Sequence, residues 1–198
     1  MSDPKILIAY VTRDGHTRRV ARRLAAAMDD DRVGVEAVVS DLDRVPDPFE
    51  AEGFDGVILA APVRFGRHPR RMRRYAGDNR DTLERLPSAF VSVSGAAGSA
   101  DPEGLDEAEG YVERFIERTG WTPDRTACVG GEMAYTKYSP LVRLVVKAAS
   151  ARAGGPVDTS RDHEFTDWKA VDGFAREFAS VVRERRPDRR AGDGDATA

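Results

Sequence analysis

A chain of 198 residues, 40% of them apolar, is long enough to bury a substantial core and fits one globular domain. A formal net charge of −3 supplies no global field that demands nucleic acid. The sequence shows neither a charged-then-apolar leader nor a run near the roughly 18 apolar residues of a membrane span, so the expectation is a cytoplasmic protein.

Strand and helix patterns alternate along most of the chain. Ile6 to Val11 is a short apolar run that reads as the first strand, and TRDGHT, Thr12 to Thr17, follows it directly. A helix should start near His16. Val20, Leu24 and Met28 recur there every four residues beside Ala21 and Ala25, while Arg18, Arg19, Arg22 and Arg23 crowd the other face. Val35 to Val39 reads as a second strand. Gly56 to Ala61, GVILAA, is an unbroken apolar run of the kind buried on both faces of a parallel sheet. Pro69 suits the first position of a helix running towards Leu86. Ala89 to Val93 is a fourth strand. Leu105, Ala108, Val112, Phe115 and Ile116 mark a helix that Gly120 stops. Thr126 to Gly130 begins a fifth strand. Its Cys128, the one cysteine, has no disulfide partner and reads as a buried core residue in a reducing compartment. The last helix follows Thr166 or Asp167 as cap and aligns Val171, Phe174, Ala175, Phe178 and Val182. From Pro187 the chain is charged, contains glycine and reads as a disordered tail. The expected architecture is α/β: a doubly wound five-stranded parallel sheet in one domain over 1–186, with a tail at 187–198.

In such sheets a ligand sits beyond the carboxyl ends of the strands, and three loops belong there. TRDGHT joins a strand end to a helix start, where first-turn N–H groups and the helix dipole favour an anion. Thr12 and Thr17 add hydroxyls, and Gly15 admits a close backbone approach. The turn lacks the lysine of GxxxxGK[ST] and is not GxGxxG. A single terminal phosphate, as in flavin mononucleotide (FMN), is the simplest ligand, and an ordinary capped turn is the alternative. The second loop, PVRFGRHP from Pro62 to Pro69, offers Phe65 to lie on a flat ring and Gly66 to turn its peptide. The third, SVSGAAGSADPEG from Ser92, is small and glycine-rich and would leave one ring face open to a flat substrate.

More than thirty residues separate the fifth strand from the final helix, too many for a structureless loop in a compact domain. This insert, about 132–163, contains Tyr135, Tyr138 and a helix pattern from Pro140. Leu141, Leu144, Val145 and Ala148 form its apolar face, with Arg143, Lys147 and Arg152 adding charge. It reads either as an interfacial helix touching anionic lipid or a quinone, or as a helix packed on its own domain. EFTDW, from Glu164, is expected to return to the sheet, so that the insert splits the last strand.

Several pieces together resemble the flavodoxin-type, quinone-dependent protoporphyrinogen IX dehydrogenases. They are TRDGHT, the VRFG loop, LPSAFVSV, the run from WTPDR to VGG, the Tyr138-containing insert with its GG end, and DTSRDHEFTDW with the FAREFA helix. They run in family order from Lys5 to about Val182. The resemblance implies a long-chain flavodoxin fold, one non-covalent FMN, and electron transfer from protoporphyrinogen IX to a quinone in haem synthesis. It places the phosphate loop on Thr12, Arg13, Asp14, Gly15, His16 and Thr17. It places the ring loops on Val63, Arg64, Phe65 and Gly66, and on Ser94, Gly95, Ala96 and Ala97. It also implies peripheral membrane contact through the insert, and leaves a homo-oligomer open. The loop after Ser94 departs from the family by being acidic, with Asp101, Glu103, Asp106 and Glu107, and the insert helix is less bulky. A flavodoxin-like electron carrier with a protein partner is the alternative function.

Neither a Ser–His–Asp set nor an HExxH run offers a separate catalytic engine. His16, His68 and His163 lack metal-ligand spacing, and no catalytic side chain is singled out. His68 reads as a solvated loop histidine, against the alternative of a base near the flavin. Arg64, Arg67, Arg70 and Arg71 are candidates to hold substrate propionates, or else a solvated basic face.

Overall fold

The computed structural model describes residues 3–30, 33–99, 102–133 and 163–192. Five strands, β1 (Lys5–Tyr10), β2 (Glu36–Asp41), β3 (Gly56–Pro62), β4 (Ser88–Ser94) and β5 (Arg125–Gly130), form one sheet. Their order is β2-β1-β3-β4-β5 and every neighbouring pair is parallel. The chain steps outward from β1 to β2, then returns past β1 to β3. The switch point therefore lies between β1 and β3, where their following loops diverge.

Alternation along the strands feeds two cores. Ile6, Ile8, Ile58, Ala60 and Val91 face Val20, Leu24 and Met28 of α1 (His16–Met28) and Phe178 and Val182 of the C-terminal helix α5 (Trp168–Gly192). Leu7, Leu59 and Phe90 face the opposite way. They pack with Met72 of α2 (Arg70–Asp78), Leu83 of α3 (Arg80–Glu84) and Phe115 of α4 (Pro102–Thr119). Each fully buried Leu, Ile or Phe contributes about 1.5–3 kcal/mol relative to exposure. Gly120, at φ +67°, ends α4 in the left-handed conformation that favours glycine. Asp167 caps α5, accepting from the Lys169 and Ala170 N–H groups at 2.9 and 3.1 Å.

Five details differ from the sequence expectation. The helix expected from Pro69 to Leu86 breaks at Asn79 into α2 and α3. The buried Asn79 side chain accepts from the Phe49 N–H and donates to the Tyr75 carbonyl and Asp47, so tertiary bonds override local helicity. Leu105 is exposed although it shares the stripe of Ala108, Val112 and Phe115, because burial along α4 begins only at Ala108. Cys128 is exposed too, since β5 is an edge strand with cover only towards its carboxyl end. Surrounding protein and Glu109 still push its thiol up to about 11, which keeps it protonated at neutral pH. Helix α5 runs past Pro187 to Gly192, carried by flanking straight-chain Arg and Glu residues that favour helix. Finally, β7 (His163–Glu164) pairs antiparallel with β6 (Glu132–Met133) and does not join the main sheet. Phe165 and Thr166 instead bond back onto Gly131 and Gly130, so this segment crosses the end of β5 and does not extend it. The expected insert helix from Pro140 lies outside the described residues. Among the described residues, no helix is long and apolar enough to cross a membrane.

Candidate functional site

The carboxyl ends of β1, β3 and β4 open onto one cleft. Thr12, Arg13, Asp14, His16 and Thr17 line it from the first loop, Pro62, Val63 and Arg64 from the second, and Val93, Ser94 and Gly95 from the third, with Gly131 closing it. In the first loop the Thr12 hydroxyl accepts from the Gly15 N–H at 3.0 Å, folding the turn tightly. Gly15, at φ +95°, occupies the N-cap position of α1, and no side chain caps the helix. An α1 start without a side-chain cap or a first-turn acid suits an anionic ligand. His16 is buried, and its Nε2 lies 2.9 Å from the Thr166 hydroxyl, which itself donates to the Gly130 carbonyl at 2.7 Å. Thr166 has only one proton to give, so this network assigns His16 as a donor through Nε2. The start of α1 is thereby bolted to the end of β5.

Arg64 bridges the first two loops through a 3.1 Å ion pair with Asp14. Its Nη1 is buried without a hydrogen-bond partner among the described residues, an orphaned cationic donor at the cleft wall. Leaving such a donor unpaired is costly, so a ligand acceptor fits here. Beyond it, Arg64 and Arg67 exchange backbone hydrogen bonds at 2.9 and 3.1 Å. The two residues between them, Phe65 and Gly66, have φ +49° and +73°, as in a type I′ turn. Phenylalanine in this region is strained by about 1–2 kcal/mol. The residue is nevertheless 96% exposed. The strained turn thus presents an exposed aromatic next in the chain to Arg64, which lines the cleft. In the third loop the Ser94 hydroxyl accepts from the Ala97 N–H at 3.1 Å, while the Ser94 carbonyl accepts from the Gly131 N–H at 2.8 Å.

A family model described as a flavodoxin domain matches residues 7–160. The chain is 32% identical, over 178 residues, to the protoporphyrinogen IX dehydrogenase [quinone] of Escherichia coli (strain K12), covering 90% of this chain and 96% of that protein. The chain belongs to the flavodoxin-type protoporphyrinogen IX dehydrogenase family. The Leishmania major protein of the same name is 28% identical, with 90% of this chain and 76% of its own length covered. Among solved structures, oxidised flavodoxin 1 from Bacillus cereus superposes with a TM-score of 0.52 at 17% identity, covering 89% of this chain and 97% of that one. That likeness supports the fold.

Most of the residues expected at a flavin site of this family gather at one cleft. Gly15 shapes the first loop without lining the cleft, and Phe65 and Gly66 follow Arg64 in the chain but lie outside the lining, with Gly66 facing a separate recess. Ala96 and Ala97 sit in a short 3-10 turn, Ala96–Gly98, next to the cleft. Sequence reasoning missed Gly131 and Thr166. Their signal was the VGG and TDW pieces, which the sequence alone does not show to be neighbours. His68 is not solvated. It is 4% exposed, hydrogen-bonded to the buried Ser92 hydroxyl at 3.0 Å and packed edge-on against Phe90 and Phe115. Burial, then the charges of Arg73 and Arg114, lower its pKa to about 4, so it is neutral and structural. The four candidate arginines also separate. Arg64 pairs with Asp14, and Arg71 pairs with Asp41 and Asp43 on the β2 side.

Proposed function

We propose that this chain is an FMN-dependent dehydrogenase that oxidises protoporphyrinogen IX to protoporphyrin IX and passes the electrons to a quinone. The observation that carries the reading is the 32% identity to a protein of that name across 96% of its length. The cleft supports it independently: an uncapped helix start, an orphaned guanidinium donor and an exposed aromatic next to it in the chain suit a flavin phosphate and ring. Thr12, Arg13, Asp14, Gly15, His16 and Thr17 would hold the phosphate end. Val63, Arg64, Phe65 and Gly66 would flank the ring on one side, and Ser94, Gly95, Ala96 and Ala97 on the other.

The oxidation removes six electrons, which is three rounds of the two-electron chemistry that a bound FMN supplies. The protein's part is orientation. The Asp14–Arg64 pair fixes two loops relative to each other, and the His16–Thr166–Gly130 chain fixes the helix start. Preorganised donors of this kind cost nothing to rearrange at the moment of reaction. The low residue volume of the third loop leaves space for a planar substrate. The insert, with its amphipathic pattern, would supply the contact with the membrane surface and its quinone.

The test is turnover of protoporphyrinogen IX with a soluble quinone, followed by porphyrin fluorescence, together with chromatography of the flavin released on heating. FMN and porphyrin formation are expected. Retention of FAD alone, or flavin-loaded protein without turnover, would overturn the proposal.

A further inference from the structure

Four arginines converge on a second recess, behind the Phe65–Gly66 turn and between α2 and α4. Arg67 comes from the turn, Arg73 from α2, and Arg114 and Arg118 from α4, with Tyr111 and the buried His68 as walls. Arg114 and Arg118 are four residues apart and share one helix face. Tyr111 lies on that same face, and a Cβ built on Gly66 would stand 3.8 Å from its ring, so the recess abuts the turn itself.

None of these four guanidiniums is ion-paired among the described residues, although α4 is rich in glutamate. Arg73 Nε donates to the His68 carbonyl at 3.2 Å, and Arg114 stacks over the Tyr111 ring at 5.0 Å. Glu107, the acid on this face, is held by the Tyr111 hydroxyl. His68 turns its Nε2 to Ser92, away from the cations. Four like charges in one recess repel each other and favour an anion among them. Guanidinium forks match carboxylates bidentately.

We propose that this recess binds the carboxylate arms of the tetrapyrrole substrate, anchoring it beside the turn that carries Phe65. The inference rests on the proposed function for the identity of the ligand. That substrate carries propionates and no phosphate, and Gly66 belongs to both the turn and the recess. Arg67 and Arg118 are the anchors, since neither guanidinium has a partner among the described residues.

The experiment titrates FMN-loaded full-length protein with protoporphyrin IX and with its dimethyl ester, which lacks both carboxylates. Wild type is compared with Arg67→Ala, Arg118→Ala and the double variant, and melting and flavin content monitor folding. Wild type should bind the acid more tightly than the ester. The double variant should lose about tenfold or more of its affinity for the acid, as charge-assisted bonds are lost, and none for the ester. KM for protoporphyrinogen should rise with it while kcat changes little. Equal binding of acid and ester by wild type, or unchanged affinity in the double variant, overturns the proposal. So does a double variant that loses binding only to anionic phospholipid vesicles. If wild type fails to oxidise protoporphyrinogen, the functional reading falls, and the porphyrin titration still decides the recess.

Discussion

Phe65 holds left-handed backbone while the residue stays almost wholly in solvent, which contributes nothing to folding. Replacing Phe65 by glycine should leave stability unchanged or raise it by up to about 1 kcal/mol, because the strain is relieved. The same change should weaken FMN binding between about two- and tenfold, the worth of an aromatic stacking contact. Phe65→Trp should retain affinity. Equilibrium flavin titration beside thermal melting reads both effects, and a variant that loses stability but not affinity would refute the role. His68 behaves oppositely. Its folded pKa of about 4 lies below the ordinary 6.5, so the unfolded chain binds more protons between those values. Its contribution is fully present above about pH 6.5 and is lost as pH falls through about 4, a swing of roughly 3 kcal/mol. Urea denaturation at pH 7.5 and 4.5 should show a steeper acid loss in wild type than in His68→Gln. At this scale the sequence showed which residue types surround the cleft. It could not show that His68 points inward, because loop position carries no information about side-chain direction.

The element scale turns on glycines where β5 meets the returning chain. A Cβ on Gly130 would lie 2.1 Å from the Phe165 carbonyl oxygen, and one on Gly98 would lie 2.3 Å from the Phe165 Cβ. Gly130→Ala should therefore cost about 1–3 kcal/mol by overpacking. It should also disturb the Thr166–His16 contact, and flavin affinity should fall with stability. Gly173→Ala is the control. It lies in α5 with open space around it, and should stabilise by roughly 0.5–1 kcal/mol through helix propensity alone. Melting curves of the two variants should shift in opposite directions. Apolar periodicity made β1, β3, β4, α1 and α5 legible to within a few residues, because their patterns are local. The break at Asn79 and the antiparallel pairing of Glu132–Met133 with His163–Glu164 were not legible. Both depend on partners distant in sequence.

Across the whole molecule, the insert enters and leaves at one point. The β6–β7 ladder pairs Glu132 with Glu164 and Met133 with His163, and the Phe165 N–H donates to the Gly131 carbonyl at 3.1 Å. The two roots are thus clipped together beside the cleft, which Gly131 helps to line. Replacing Tyr138 to Arg152 by a short Gly/Ser linker should therefore leave folding intact, since loop-closure entropy changes only slowly with length. FMN should remain bound with an affinity within about threefold of wild type, less than the worth of one hydrogen bond. Protoporphyrinogen-to-quinone turnover and binding to anionic vesicles should both fall sharply if the insert carries the membrane and quinone contact. Replacing Leu144 and Val145 by serine sharpens the test. Loss of vesicle binding at unchanged melting temperature places that face at the interface, whereas a lowered melting temperature with unchanged vesicle binding places it against its own domain. Full turnover by the folded, flavin-loaded deletion variant would remove the insert from the mechanism and leave electron transfer to the cleft alone.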